Sequence, residues 1–194
     1  FDAHLTRMRR GLMAEIMYVL FPHRARTFEG LGLGRVTIAS IAGQSAEHLG
    51  CAESVIRRLA LRRNYVGAAY FEQGNAAPGL PSGPKSWATA YMNDAAQCAA
   101  VEALLLQSQV LVPGDALPTE KKPGLDPEKL MLDLTPPTDA IVNRCSQCRS
   151  GYFARGNGRC VECGGRLQAE PARNGPSASD YFAYLADDRR QAFR

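Results

Sequence analysis

Residues 145–165 read CSQCRSGYFARGNGRCVECGG and contain two Cys-x-x-Cys pairs separated by 11 residues. Thiolates are soft ligands that suit Zn²⁺, and two such pairs joined by a hairpin can close a tetrahedron around one ion. Asn157-Gly158 is typical of a hairpin turn, and two glycines follow the last cysteine. We therefore predict a zinc ribbon over 141–168, with one structural Zn²⁺. Its ligands are Cys145, Cys148, Cys160 and Cys163.

The same cysteine pattern is compatible with other chemistry. The spacing alone does not distinguish a zinc site from two disulfides, an iron–sulfur cluster or a dithiol redox pair. With only four clustered cysteines in 194 residues, a disulfide scaffold is disfavoured and a metal site in a reducing compartment is favoured. Cys51 and Cys98 stand alone in apolar stretches, which is typical of buried free thiols. Four sulfur ligands leave no open position for water, so we expect no hydrolytic metal catalysis.

Positive charge is concentrated around the cysteines. The segment 141–168 carries five arginines and one acid, and 35–63 carries five arginines and two acids, whereas the whole chain has a net charge of +4. Guanidinium groups favour phosphate contacts, so this clustering points to nucleic acid. A codon bias toward arginine accounts for the ratio of 19 Arg to 4 Lys but not for the clusters. The predicted DNA contacts are Arg57, Arg58, Arg62, Arg63, Arg144, Arg149, Arg155 and Arg159.

The N-terminal half has the apolar spacing of helices. Leu5, Met8, Leu12, Ile16 and Val19 form one stripe over 2–20, and a second long helix is predicted from Ser86 to about Val112. Between them, 36–63 is interpreted as two helices joined by a tight turn at Leu49-Gly50, in the order of a helix-turn-helix. The exposed side of the second helix would carry Glu53, Ser54, Arg57 and Arg58. An αα-hairpin with solvated arginines fits this stretch equally well.

The predicted fold class is mainly α. The first predicted domain, over 1–112, is a helical DNA- and partner-binding domain that contains the helix-turn-helix-like pair. It is followed by a Pro-rich acidic linker over 113–140, the zinc ribbon over 141–168, and a linker with a terminal helix over 169–194. A short helix from Pro127 to about Leu134, capped by Asp126, interrupts the acidic linker. No apolar run approaches the roughly 20 residues of a membrane-spanning helix, so we expect a soluble protein without a membrane partner. Because the chain begins at Phe1, the sequence is compatible with an N-terminal leader that has been removed.

The order of these elements resembles the C subunit of the bacterial flagellar master regulator, the FlhC family, and its relatives that activate conjugative-transfer genes. The resemblance rests on the stretch ending Val55-Ile56-Arg57-Arg58-Leu59, on the loop PGLPSGPKSW that leads into a long helix containing Cys98, and on the two cysteine pairs. It departs from the family in the short spacing between the cysteine pairs and in the acidic Pro-rich insert. A divergent homologue from a plasmid or an integrative element therefore fits at least as well as a flagellar protein.

The resemblance implies a cytoplasmic transcription activator. Such proteins act with a smaller helical D-type subunit in a heterohexamer, bind double-stranded promoter DNA and recruit RNA polymerase. By position, the four cysteines are then the zinc ligands, and the apolar helices over 2–20 and 86–112 supply partner surface.

Two other function classes compete with DNA binding. In the first, zinc shapes an assembly subunit of a nucleic-acid-processing complex that does not itself read sequence. The second is an enzyme, which we do not expect, because His4, His23 and His48 are scattered and no catalytic Ser/His/Asp set, carboxylate pair or phosphate loop stands out.

Overall fold

A computed structural model describes residues 2–22, 27–30, 33–39, 44–66, 79–112, 124–134 and 141–171. These ranges contain four α-helices, α1 (Asp2–Leu20), α2 (Ala46–Leu61), α3 (Ser82–Met92) and α4 (Ala95–Gln107). The strands are β1 (Arg35–Thr37), β2 (Leu111–Val112), β3 (Gly124–Leu125), β4 (Met131–Asp133), β5 (Ile141–Cys145), β6 (Gly151–Tyr152) and β7 (Leu167–Pro171). Single 3-10 turns lie at Pro127–Lys129 and Gly156–Gly158.

Helix α2 runs through the centre of the protein. Ser45 caps its start, because the Ser45 hydroxyl accepts a hydrogen bond from the His48 backbone N–H at 3.1 Å. Nine of its 16 residues are buried, and α2 packs against α3 and α4. The apolar core around it includes Val55, Ile56 and Leu59. This central helix therefore determines which side chains of its neighbours reach solvent.

Three small antiparallel sheets surround the helices. Strand β1 pairs with β4, β2 pairs with β3, and the third sheet has the order β6-β5-β7. The first pairing places Arg35 opposite Asp133, and the second places Leu111 opposite Leu125. Residues 124–134, inside the predicted linker, thus pair with strands that flank the helices. The predicted domain boundaries at 112, 140 and 168 stay predictions, and the predicted terminal helix over 169–194 lies outside the described residues except at 169–171.

The prediction of a mainly α fold is wrong, because seven strands in the described ranges make the protein mixed α/β. Val36, assigned to a helix face from the sequence, lies instead in β1. Its run Val-Thr-Ile is rich in β-branched side chains, which suit a pleated strand better than a helix. The two-residue and three-residue strands are too short to leave a clear alternating pattern.

The helix-turn-helix is also wrong, because α2 is one continuous helix through Gly50. A Cβ at Gly50 would lie 2.9 Å from the hydroxyl oxygen of Tyr91. Gly50 therefore permits the close approach of α3, and it does not terminate a helix. The predicted exposed side is wrong for Glu53, Ser54 and Arg57, all of which are buried.

The long helix predicted over 86–112 is two helices. Asn93 adopts the left-handed conformation with φ of 53°, which asparagine tolerates better than most residues. Asp94 then caps α4, because its carboxylate accepts a hydrogen bond from the Ala96 backbone N–H at 2.6 Å. The helix predicted from Pro127 is a single 3-10 turn capped by Asp126, and β4 follows it. The prediction of α1 over 2–20 is confirmed.

Candidate metal centre

The four cysteines of the two Cys-x-x-Cys pairs converge on one point. The Sγ atoms of Cys145 and Cys163 are 3.5 Å apart, as are those of Cys148 and Cys160, and all four lie within 4.8 Å of one another. A tetrahedral Zn²⁺ with Zn–S bonds of about 2.3 Å requires sulfurs about 3.8 Å apart. The cluster could therefore hold one metal ion with little movement of the side chains.

The two cysteine turns have the same backbone geometry. The N–H of Arg149 donates to the carbonyl of Cys145, and the N–H of Gly164 donates to the carbonyl of Cys160. Arg149 and Gly164 occupy equivalent positions and both have positive φ, 65° and 75°. Each turn also aims a backbone N–H at sulfur, as Gln147 does toward Cys145 at 3.4 Å. This repeated local geometry is what the Cys-x-x-Cys spacing predicts, and it needs no contact from the rest of the chain.

Polar side chains behind Cys160 complete the site. The hydroxyl of Tyr152 lies 3.3 Å from the Cys160 Sγ atom and donates to Glu162 Oε1 at 3.2 Å. The hydroxyl of Ser150 donates to the same carboxylate oxygen at 2.7 Å. Tyr152 is 1% exposed, so this hydroxyl orients the sulfur from a side that water does not reach.

The thiols of Cys145, Cys160 and Cys163 differ in how readily they ionise. Burial acts to raise the pKa of the Cys145 thiol, but hydrogen bonds from the backbone N–H groups of Cys148 and Gln147 outweigh it and lower the pKa to about 7. Burial raises the pKa of Cys160 to about 12, and it also raises the pKa of Cys163. A metal ion must therefore displace a firmly held proton from Cys160, whereas Cys145 is ready to bind near neutral pH.

Arg57 links the metal centre to the helical body. It forms a buried ion pair with Glu29, and its guanidinium lies 4.4 Å from the centre of the Tyr152 ring. The other carboxylate oxygen of Glu29 accepts the backbone N–H of Phe153 at 3.0 Å. Arg57 is 3% exposed, so it has a structural position inside the protein and does not reach a surface where DNA could bind.

Two more of the predicted DNA contacts hold the ribbon on the body. Arg58 is half-buried; it donates to the carbonyl of Val161 at 3.0 Å and lies over the Trp87 ring. Arg144 pairs with Glu170 at 3.1 Å and donates to the carbonyl of Gly30 at 3.3 Å. These arginines join segments that are far apart in sequence.

The remaining predicted arginines are exposed. Arg62 and Arg63 lie just after α2, where Arg63 is stacked over the Tyr18 ring. The exposed arginines of the ribbon are Arg149, Arg155 and Arg159, and Arg166 joins them. Arg159 and Arg166 form an antiparallel bridge, so the two side chains lie opposite each other.

Sequence reasoning missed several residues of this site. Glu29 lies 28 residues before Arg57, and no local pattern connects them. No sequence pattern assigns a role to Ser150 or to Glu162. The position of Glu162 inside the second Cys-x-x-Cys pair was the one signal that could have marked it. Arg166 lies opposite Arg159 because the turn of the second cysteine pair closes between them, where the N–H of Cys160 donates to the carbonyl of Gly165. The hairpin turn predicted at Asn157-Gly158 is instead a 3-10 turn.

Neither a protein-family model nor a curated protein or a solved structure matches this chain. The resemblance to the FlhC family therefore depends on the quoted residues alone. None of the helices in the described ranges combines the length and the apolar character that crossing a bilayer requires.

Proposed function

We propose that this chain is a zinc-stabilised DNA-binding subunit of a transcription-activating complex. One observation carries the proposal: Arg159 and Arg166 lie opposite each other and exposed. Neither side chain has an ion-pair partner in the part of the chain that the structure describes. Like charges in directly opposed positions destabilise a hairpin, and a phosphate between them would reverse the sign of that interaction.

The metal ion has a structural part in this proposal. Four thiolates around Zn²⁺ would hold the hairpin that presents Arg159 and Arg166, with Arg149 and Arg155 as further phosphate contacts. Arg57, Arg58 and Arg144 are not among them, because their guanidinium groups contact the Tyr152 ring, the Val161 carbonyl and the Gly30 carbonyl between ribbon and body. That the target is a promoter of flagellar or conjugative-transfer genes, read with a D-type subunit and RNA polymerase in the cytoplasm, follows only from the resemblance.

The double variant Arg159→Gln/Arg166→Gln is expected to bind double-stranded DNA about 10-fold or more weakly at 150 mM salt. Two lost phosphate contacts should also reduce the slope of log K against log salt by about 2. Fluorescence anisotropy with a labelled duplex over a salt series measures both quantities.

Arg7→Gln is the matched control, because Arg7 is an exposed arginine of α1 distant in sequence from the ribbon. It should leave the affinity and the salt slope unchanged. Equal salt slopes for the wild type and the double variant would contradict the proposal.

A second candidate function is an assembly subunit that shapes a complex without reading DNA. A feature of α1 favours it: residues 2–12 are all exposed, and Leu5, Met8, Leu12 and Val19 are between 48% and 69% exposed. These side chains recur at helical spacing and form the apolar stripe of α1. An exposed apolar stripe of this kind is typical of a helix that packs on a partner helix. Direct DNA binding by the isolated chain separates the two functions.

Leu12→Glu is expected to abolish co-purification of a helical partner from the native host, because it would place a charge in the centre of the apolar stripe of α1. Its thermal stability should match the wild type, since Leu12 is 61% exposed. Native mass spectrometry of the purified material measures the loss.

Ala3→Glu introduces the same charge at an exposed position on the opposite side of α1 and serves as control. A Leu12→Glu variant that still carries the partner at wild-type stoichiometry would rule out this surface.

A further inference from the structure

A cleft of about 670 Å³ lies between the helical body and the ribbon. This volume is typical of small-molecule sites. Its walls come from the first half of α2, the end of α3, the start of β1 and the loop that follows β6. Tyr91 and Phe153 supply aromatic surface, and Ala46, Leu49 and Ala154 supply aliphatic surface. Polar and apolar surface thus contribute about equally to the lining, and the charged groups lie beside the aromatic and aliphatic side chains.

Glu53 is the buried polar group of this cleft. Its side chain is 4% exposed, and its Oε1 atom accepts no hydrogen bond from the described residues. The nearest cation is Arg35, whose guanidinium nitrogen is 3.8 Å from Oε1 and which also pairs with Asp133 at 3.1 Å. Burial raises the pKa of Glu53; the Thr37 hydroxyl opposes this effect and the nearby Glu29 adds to it. A buried acceptor without a donor is costly, so an N–H donor supplied by a ligand would stabilise it.

A positively charged side chain lies in another part of the cleft lining. Arg155 is exposed, and its guanidinium has no ion-pair partner among the residues that the structure describes. The charged residues that line the cleft are two acids, Glu47 and Glu53, and two arginines, Arg35 and Arg155. This balance disfavours a polyanion such as DNA, which needs an excess of cations. It favours a molecule that carries both charges.

We propose that this cleft binds a small zwitterion of the amino-acid type with an apolar side chain. Its ammonium group would donate to Glu53, its carboxylate would accept from Arg155, and its side chain would pack against Tyr91 and Phe153. Arg155 is also one of the further phosphate contacts proposed above, but the bridge of Arg159 and Arg166 that carries the DNA-binding proposal lies outside the cleft lining. The zwitterion proposal therefore does not depend on DNA binding.

The test is isothermal titration calorimetry of the metal-loaded full chain with L-phenylalanine and L-leucine. The matched probes are 3-phenylpropionate, which lacks the ammonium group, and phenethylamine, which lacks the carboxylate. Each of the two is expected to bind about 10- to 100-fold more weakly than L-phenylalanine, because each loses one charge-assisted hydrogen bond. No binding of either amino acid overturns the proposal, as does equal binding of the three phenyl compounds.

Two variants locate the binding site. Arg155→Gln should weaken L-phenylalanine binding about 10-fold or more, whereas Arg149→Gln, another exposed ribbon arginine, should have no effect. Glu53→Gln should weaken L-phenylalanine more than 3-phenylpropionate. Glu53 is buried, so its substitution can disturb folding. The decisive variant is therefore Arg155→Gln: wild-type affinity of this variant for L-phenylalanine overturns the proposed site.

Discussion

Cys160→Ser is expected to abolish stoichiometric metal binding and to unfold the ribbon. The small core of this module consists of Cys145, Tyr152, Cys160, Val161 and Leu167. Such a core is too small to fold a hairpin by itself, so a metal ion bound by the four cysteines would supply most of the stability, on the order of 10 kcal/mol. Inductively coupled plasma mass spectrometry should find about one zinc per chain in the wild type and none in the variant, together with loss of dispersed amide signals from 141–171.

The same site predicts a dependence on pH. Thiolates, and not thiols, bind the ion, so the affinity for zinc should fall as the pH falls. Burial raises the pKa of Cys160 to about 12, so zinc binding near neutral pH releases its proton to solvent. Competition with a chelator at pH 6 and pH 8 measures this change.

Cys98→Ser makes the same substitution at another buried cysteine, whose Sγ atom donates to the carbonyl of Lys85. It should retain the ion. A Cys160→Ser protein that stays fully folded without metal would refute a structural metal site.

Arg57→Ala is expected to lower the free energy of unfolding by about 3–5 kcal/mol, because it leaves the carboxylate of Glu29 buried without its counter-charge. It also removes the contact of the guanidinium with the Tyr152 ring. As one of the DNA contacts predicted from the sequence, Arg57 would weaken DNA binding when substituted and leave the protein folded. The buried ion pair changes the expected result to a loss of stability. Urea denaturation followed by circular dichroism measures the difference.

Arg62→Ala is the matched control, since Arg62 is an exposed arginine just after the same helix. Its effect should stay within about 0.5 kcal/mol. Adding Glu29→Gln to Arg57→Ala should restore part of the lost stability, because the buried charge is then gone. If Arg57→Ala were as stable as Arg62→Ala, the buried ion pair would not exist in solution.

The metal cluster could be predicted from sequence because its geometry is local. Each Cys-x-x-Cys turn forms its own backbone hydrogen bonds, and Gly164 adopts the positive φ that the turn requires. The start of α2 also had a local signal, since Ser45 bonds to a backbone group three residues away. The turn predicted at Leu49-Gly50 nevertheless placed the start of the second helix too late. Helix α1 was predictable from its apolar spacing and from Pro22 beyond its end.

The short strands were not predictable in this way. Strand β1 has three residues, and its Arg35 pairs with Asp133, 98 residues further along the chain. The break between α3 and α4 had a local signal, Asn93 followed by the capping Asp94, but the apolar spacing on either side concealed it.

The sequence by itself determined that four sulfurs meet at one point, because ligand spacing and turn geometry act over a few residues. Only the tertiary structure decided which arginines reach solvent. Arg57 and Arg62 are close together in the sequence. Arg57 is paired with Glu29 inside the protein, whereas Arg62 is exposed. Burial depends on which distant segments pack against a helix face, and that information is absent from the local pattern of charges.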